Sequence, residues 1–114
     1  MDIREFIKIL LPSGVSEYFD IVKVDENELD YVLHLEEKNL PPRIETSDKL
    51  ESKGFYDTAI VRDFPLRGKA CYLKVKRRKW VNMTTGEIVM RDWNVVAQGT
   101  RLTKEFAAFL KGTN

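Results

Sequence analysis

The sequence has little of what stabilises small proteins covalently or through metals. Its 114 residues include one cysteine and one histidine. A single cysteine cannot form an internal disulfide, and it cannot build a structural zinc site alone. We therefore predict no metal, no cofactor, and a reducing, cytoplasmic location. No apolar run approaches the ~20 residues of a membrane helix, and the N-terminus lacks the layout of a signal peptide, so we expect no membrane partner.

The total charge also lacks an excess of either sign, but basic and acidic residues are separated along the chain. There are 19 basic and 18 acidic side chains, for a net charge of +1. Positions 1–61 hold seven basic and fourteen acidic residues, a balance of −7, whereas positions 62–114 hold twelve and four, a balance of +8. Such asymmetry is typical either of a polyanion-binding surface or of two surfaces that attract each other.

Hydrophobic periodicity predicts one α+β domain over 1–114, built in two parts. The acidic part, 1–37, begins with a predicted amphipathic helix over 2–11. A β-hairpin over 18–37 follows, because apolar and polar residues alternate along 29–36. Whether this hairpin joins the sheet of the second part is open.

The stretch 38–54 is predicted as a linker, since Pro41 and Pro42 stop regular structure, with a helical turn starting at Ser47. The basic part, 55–111, is predicted as a small antiparallel sheet followed by a helix. Its predicted elements, in order, are strand 58–63, turn 64–68, strand 69–81, turn 84–86, strand 87–95 and helix 104–110. Thr103 is the expected N-cap of that helix and Gly112 its C-terminal glycine. The expected apolar face of the helix consists of Phe106, Phe109 and Leu110.

The segment 67–79 is the most informative part of the chain. Seven of its thirteen residues are basic and none is acidic. Alternate side chains of a strand face opposite sides. One side would carry Cys71, Leu73 and Val75, and the other Tyr72, Lys74, Lys76 and Arg78. The pattern is typical of a phosphate-binding ribbon, because arginine grips phosphate at two points and a two-stranded ribbon fits the major groove of DNA.

Two other interpretations of the basic segment stay open. Lys and Arg also protect edge strands from aggregation, and a basic face can dock on the acidic part of the same chain. The aromatic residues Tyr72, Trp80 and Trp93 could stack on bases or pack within the hairpin.

The other chemically capable residues favour structural roles. His34 has no neighbouring ligand residues, so an exposed or hydrogen-bonded histidine is expected. Cys71 falls on the apolar face and is expected to be a buried small hydrophobe. No carboxylates are paired in an acid–base arrangement, so we predict that the chain is not an enzyme.

The chain contains an Arg-Asp-Phe-Pro turn over 62–65, a Gly-Lys pair over 68–69, a strand that ends in Arg77 and Arg78, and Arg101-Leu102-Thr103 before a helix. Together these motifs resemble the N-terminal DNA-binding region of bacterial insertion-sequence transposases of the ISL-three type. They occur in the family's order over 58–110. The family's zinc-ribbon cysteines are absent from 82–87 and from 40–54, so the resemblance implies a zinc-ribbon-like domain that holds together without metal.

The resemblance implies recognition of the transposon's terminal inverted repeats. Catalysis would reside in a ribonuclease-H-like transposase subunit or downstream domain, which would be a partner of this chain. The residues expected to contact DNA are Arg67, Lys69, Lys74, Lys76, Arg77, Arg78, Lys79, Trp80 and Arg101. The alternative function is a protein-interaction module that docks on the catalytic subunit or self-associates through its acidic half.

Overall fold

The structure, a computed structural model, describes residues 9–12, 14–44, 46–92, 95–96 and 100–112. Within them the chain is an α+β protein with two sheets. Its helices are α1 (Val15–Tyr18) and α2 (Lys104–Leu110). Its strands are β1 (Phe19–Glu26), β2 (Asp30–Glu37), β3 (Leu50–Phe55), β4 (Ala59–Leu66), β5 (Lys69–Lys76), β6 (Arg78–Asn82) and β7 (Ile88–Val89). Ile9 and Leu10 are also helical, and positions 2–8 of the helix predicted over 2–11 lie outside the described residues.

The first sheet joins strands from both halves of the sequence, in the order β1-β2-β5-β4. β1 and β2 form the antiparallel hairpin predicted over 18–37, which is confirmed. β4 and β5 form a second hairpin, closed at Arg67 and Gly68, whose φ angles of 54° and 80° suit a tight hairpin turn. β2 and β5 run parallel, from Asp30 opposite Ala70 onward. The acidic and basic halves therefore share one mixed sheet. The first hairpin does join strands of the basic part, and these strands do not form the one small antiparallel sheet predicted for 55–111.

The second sheet is antiparallel, in the order β3-β6-β7. β3 lies within the predicted linker 38–54, which is therefore wrong from Leu50 onward. Leu50 is buried, and Gly54, with φ of 94°, lies in the irregular stretch of the β3–β6 pairing between Ser52 and Phe55. Position 47 is not helical. β7 has two residues, far fewer than the strand predicted over 87–95, of which 93–94 lie outside the described residues.

The strand predicted over 69–81 is divided between the two sheets. β5 ends at Lys76 and β6 starts at Arg78, so Arg77 lies between them. After β6, Asn82 closes the predicted turn over 84–86, since its Oδ1 accepts hydrogen bonds from the backbone N–H groups of Thr84 and Thr85 at 2.9 and 3.1 Å. Gly86 has φ of 77°, as its place in the turn predicts. One continuous segment thus supplies a strand to each sheet.

The main core lies on one side of the four-stranded sheet. Leu35, Leu73 and Val75 are almost fully buried and pack with residues of α1 and β4. Among the described residues, no helix is long and apolar enough to cross a lipid bilayer.

The C-terminal helix α2 is fastened to β4 at its first turn. The Thr103 hydroxyl accepts a hydrogen bond from the Phe106 N–H at 3.3 Å, as the N-cap prediction requires, and donates one to the Asp63 carboxylate at 2.9 Å. Phe106 is buried as predicted. Phe109 and Leu110 are about 60% exposed, so the predicted apolar face is wrong for these two residues. Only the edge of α2 nearest β4 is covered.

A buried carboxylate connects the two sheets. Glu37 ends β2 and is 1% exposed. Its carboxylate accepts hydrogen bonds from the Arg78 backbone N–H at 3.1 Å and from the Trp80 indole N–H at 2.6 Å. It also pairs with the buried Arg91 guanidinium, whose Nε lies 3.2 Å away. The Arg91 guanidinium lies 4.2 Å from the centre of the Tyr18 ring and donates to the Leu40 carbonyl. We call Glu37, Arg78, Trp80 and Arg91 the Glu37 cluster.

We expect Glu37→Gln to lower the free energy of unfolding by about 3 kcal/mol. The amide has nearly the same volume as the carboxylate but no negative charge, so Arg91 stays buried without its counter-ion. The amide NH2 group also replaces a carboxylate oxygen, so a hydrogen-bond acceptor becomes a donor. Urea unfolding followed by circular dichroism measures the change. The neighbouring Glu36→Gln is the matched control, because Glu36 lies on the opposite face of β2 and is half-buried. Equal effects of the two substitutions would contradict the central role of Glu37.

We expect Asp63→Asn to change how stability depends on pH. Burial raises the pKa of the Asp63 carboxyl above its ordinary value of 3.8. Because the folded pKa is the higher one, wild-type stability falls as the pH rises from about 3.8 through the raised pKa, and Asn removes this loss while it still accepts from Thr103. Urea unfolding at about pH 4 and about pH 7 should show the variant gaining on the wild type at the higher pH. Asp57→Asn, at an exposed position, controls for the charge, and a constant difference between variant and wild type would contradict the prediction.

Candidate nucleic-acid interface

The strand alternation predicted for β5 is confirmed. Cys71, Leu73 and Val75 are buried on the core side. Lys74 and Lys76 lie on the opposite side, where Lys76 is exposed and Lys74 half-buried. Side chains on one face of a strand repeat about every 6.8 Å, so the Cα atoms of these two lysines are spaced much like successive phosphates of one DNA strand.

β4 adds a basic residue that the sequence analysis did not select. Arg62 is exposed, lies opposite Tyr72 of β5, and places its guanidinium carbon 5.6 Å from the centre of the Phe106 ring. Its alternation with the buried Val61 and Asp63 is the signal that would have found it. We call the side of β4 and β5 that carries Arg62, Tyr72, Lys74 and Lys76 the basic open face. The acidic residue of these two strands, Asp63, is 7% exposed on the core side.

Arg101, from a distant part of the sequence, lies beside the outer edge of β4. Its backbone carbonyl accepts a hydrogen bond from the Arg62 N–H at 2.8 Å, and the Thr103 N–H donates to the Arg62 carbonyl at 2.9 Å. The segment therefore runs along the outer edge of β4. Arg101 itself is exposed. Of the sequence-predicted residues, the structure thus brings Lys74 and Lys76 together on the basic open face and places Arg101 beside the edge of β4.

On the neighbouring strands β1 and β2, the same open face of the sheet is acidic. On β1 and β2 the open side carries four acidic residues, Asp20, Asp25, Asp30 and Glu36, and one basic residue, Lys23, which lies 3.6 Å from Asp25. We call this side the acidic open face. His34 lies among these residues, and its Nε2 is 2.8 Å from Asp25 Oδ2, which is the hydrogen-bonded role predicted for this histidine. That hydrogen bond, with a contribution from Lys23, holds the pKa of Asp25 below its ordinary value. The open surface therefore changes sign between β2 and β5.

Two predicted contact residues lie at the far end of the β4–β5 hairpin. Arg67 is exposed in the turn. Lys69 is held by the acidic half, because its ammonium group donates to the Asn27 carbonyl at 2.8 Å, lies 3.4 Å from the Glu26 carboxylate, and sits 5.1 Å from the centre of the Tyr31 ring. Lys69 therefore links the two hairpins and is apart from Lys74 and Lys76.

The prediction that Trp80 stacks on bases is wrong. Trp80 is fully buried, and its indole N–H is bound to Glu37. Arg78 is likewise engaged inside the protein, since its guanidinium donates to the Glu37 carbonyl at 2.8 Å and to the Ser52 hydroxyl at 2.9 Å. The buried carboxylate attracted both residues inward, which a basic run in the sequence does not reveal. Trp93 lies outside the described residues.

The last two predicted residues flank the strand junction. Arg77 is half-buried and donates to the Arg91 carbonyl. Lys79 is also half-buried, with its ammonium group 5.3 Å from the centre of the Tyr56 ring. Beside them, the Phe55 ring lies between Lys76 and Arg78, at 5.0 and 4.7 Å. The phenyl ring continues the basic open face toward the second sheet.

The described residues contain no group of three or more His, Cys, Asp or Glu side chains that could hold a metal ion. Comparisons with known proteins add no relative, because no protein-family model, curated protein or solved structure matches the chain. The resemblance to ISL-three transposases therefore stays a prediction.

We expect Cys71 to react slowly with Ellman's reagent in the folded protein. Burial, assisted by the nearby Asp63 carboxylate, raises the pKa of the thiol to about 11. At pH 8 only about one thiol in a thousand would then be ionised, and the thiolate is the reactive form. The same protein unfolded in urea is the control and should react fast and completely. Equally fast labelling of the folded protein would contradict the buried position of Cys71.

Proposed function

We propose that this chain is the DNA-binding N-terminal module of a bacterial insertion-sequence transposase, and that it holds the terminal inverted repeat of the transposon on the basic open face. The chain itself does not cleave DNA. Cleavage belongs to the catalytic subunit or downstream domain with which it works. The zinc-ribbon-like character of the domain is part of the same proposal.

One observation supports the proposal above the others. β4 and β5 present Arg62, Lys74 and Lys76 on one open side, with Arg101 along the edge, and their one acidic residue is turned into the core. An exposed surface that carries several basic groups can neutralise several phosphates at once, which releases counter-ions and drives association. The carboxylate that borders this surface is that of Glu36, which lies opposite Lys76 in the β2–β5 pairing. Contacts of this kind position a protein on the backbone.

The acidic open face limits where DNA can lie. Asp20, Asp30 and Glu36 repel phosphate, so a duplex that crossed all four strands would meet opposing charge. Glu36 lies directly opposite Lys76, so a duplex lies farthest from these carboxylates when it runs along the outer strand β4, over Arg62. Tyr72, half-buried between Arg62 and Val32 of β2, marks the border between the two sides.

We expect Lys74→Gln with Lys76→Gln to weaken DNA binding and its salt dependence. Each lost phosphate contact reduces the magnitude of the slope of log affinity against log salt concentration by about 0.9. The slope of the double variant should therefore be smaller in magnitude by about 1.8. The measurement is fluorescence anisotropy at about 50 and about 200 mM salt, with a labelled duplex that carries the inverted repeat of the element encoding the chain.

The matched control is Lys49→Gln with Lys53→Gln. These exposed lysines lie beside Glu51 of β3, at 3.0 Å each, away from the basic open face, and their removal changes the net charge by the same amount. Equal losses for the two double variants would contradict the proposed face. Absence of binding by the wild type at low salt would overturn the DNA-binding function and favour the alternative, a protein interaction through the acidic open face.

A further inference from the structure

A cavity of about 440 Å³ opens at the end of the four-stranded sheet where β4 begins and β5 ends. Its volume lies within the range of about 300–1,000 Å³ that is usual for small-molecule sites. The wall is made by the first residues of β4 on one side and by the segments around Val96 and Arg101 on the other.

Two arginines from distant parts of the sequence line this cavity, Arg77 and Arg101. Both backbones are fixed, because the Arg77 carbonyl accepts from the Tyr56 N–H at 2.8 Å and the Arg101 carbonyl accepts from the Arg62 N–H at 2.8 Å. Burial lowers the pKa of Arg77, but arginine stays protonated in proteins. The Arg77 guanidinium also donates to the Arg91 carbonyl, and Arg101 is the exposed member of the pair, so the two arginines make this wall of the cavity positive.

The rest of the wall is suited to an anion with an apolar part. Thr58 supplies a hydroxyl group, and Ile60 and Val96 supply apolar surface. The hydroxyl of Thr100, which also lines the cavity, accepts a hydrogen bond from the Leu102 N–H at 3.2 Å. None of the described lining residues is acidic. Guanidinium groups recognise phosphate oxygens through paired, charge-assisted hydrogen bonds, and hydroxyl groups add further donors.

We propose that this cavity binds one phosphate group of a nucleotide, with the attached sugar and base against the apolar wall. The inference deepens the proposed function and rests on it, because Ile60 lies directly opposite Lys74 in the β4–β5 pairing, so the cavity adjoins the basic open face. A DNA strand that follows Lys74 and Lys76 reaches it. A free nucleotide carries the same chemistry, and the experiment separates the two sources.

The test is a titration of the ¹⁵N-labelled full chain with thymidine 5′-monophosphate, followed by amide chemical shifts. We expect saturable shifts at Thr58, Ile60 and Val96, and no such shifts with thymidine, which lacks the phosphate. Arg101→Gln should weaken binding of the nucleotide at least about tenfold, which is the effect of losing a charged hydrogen-bond donor. Arg43→Gln, at an exposed position outside the cavity, is the matched control and should leave binding unchanged.

The same samples are then titrated with the inverted-repeat duplex. Shifts of the three amides with both ligands support a phosphate taken from DNA. Nucleotide binding without duplex binding leaves the cavity as a free-nucleotide site and overturns the proposed function alone. Duplex binding without nucleotide shifts at these amides, equal shifts with thymidine, or equal losses in Arg101→Gln and Arg43→Gln would overturn the cavity proposal.

Discussion

The burial of one carboxylate, that of Glu37, governs how the two sheets meet. A buried charge is tolerated only when it is paired and hydrogen-bonded, and Glu37 meets that requirement with donors from β6 and from Arg91. Since the donors come from beyond Arg77, the chain must turn there from the first sheet into the second. The break between β5 and β6 is thus a consequence of where the donors have to be, and it decides which basic side chains face inward.

This constraint also explains why net charge overstates the surface available to a polyanion. The second half of the chain has a balance of +8, but Arg78 and Arg91 are occupied by Glu37, and Lys69 by the β1–β2 hairpin. Both interpretations of the charge asymmetry therefore apply, each to a different group of residues. Some of the basic groups bind the acidic half, and Arg62, Lys74 and Lys76 form the basic open face of β4 and β5.

Local patterns predicted the local structure well. The hairpin over 18–37, the inward side of β5 and the Thr103 cap follow from alternation and capping, which depend on near neighbours. β3 was missed because its polar residues show no period, and it forms only through pairing with β6. Burial of Trp80 and the meeting of Arg62 with Arg101 depend on partners more than thirty positions away. Local sequence patterns carry no information about such distant partners, so only part of the site could be predicted.

The parallel pairing of β2 with β5 has a consequence for the order in which the chain folds. Its partners are forty positions apart, as Asp30 and Ala70 show. Each hairpin can close locally. The pairing of β2 with β5, however, must first close a long loop, which costs chain entropy before any contact is gained. On the ribosome, the first hairpin would therefore wait with one edge of β2 unpaired until β5 has emerged. The polar side chains of Asp30, His34 and Glu36, which are half-buried in the complete fold, then serve a second purpose, because polar groups discourage that unpaired edge from pairing with another chain.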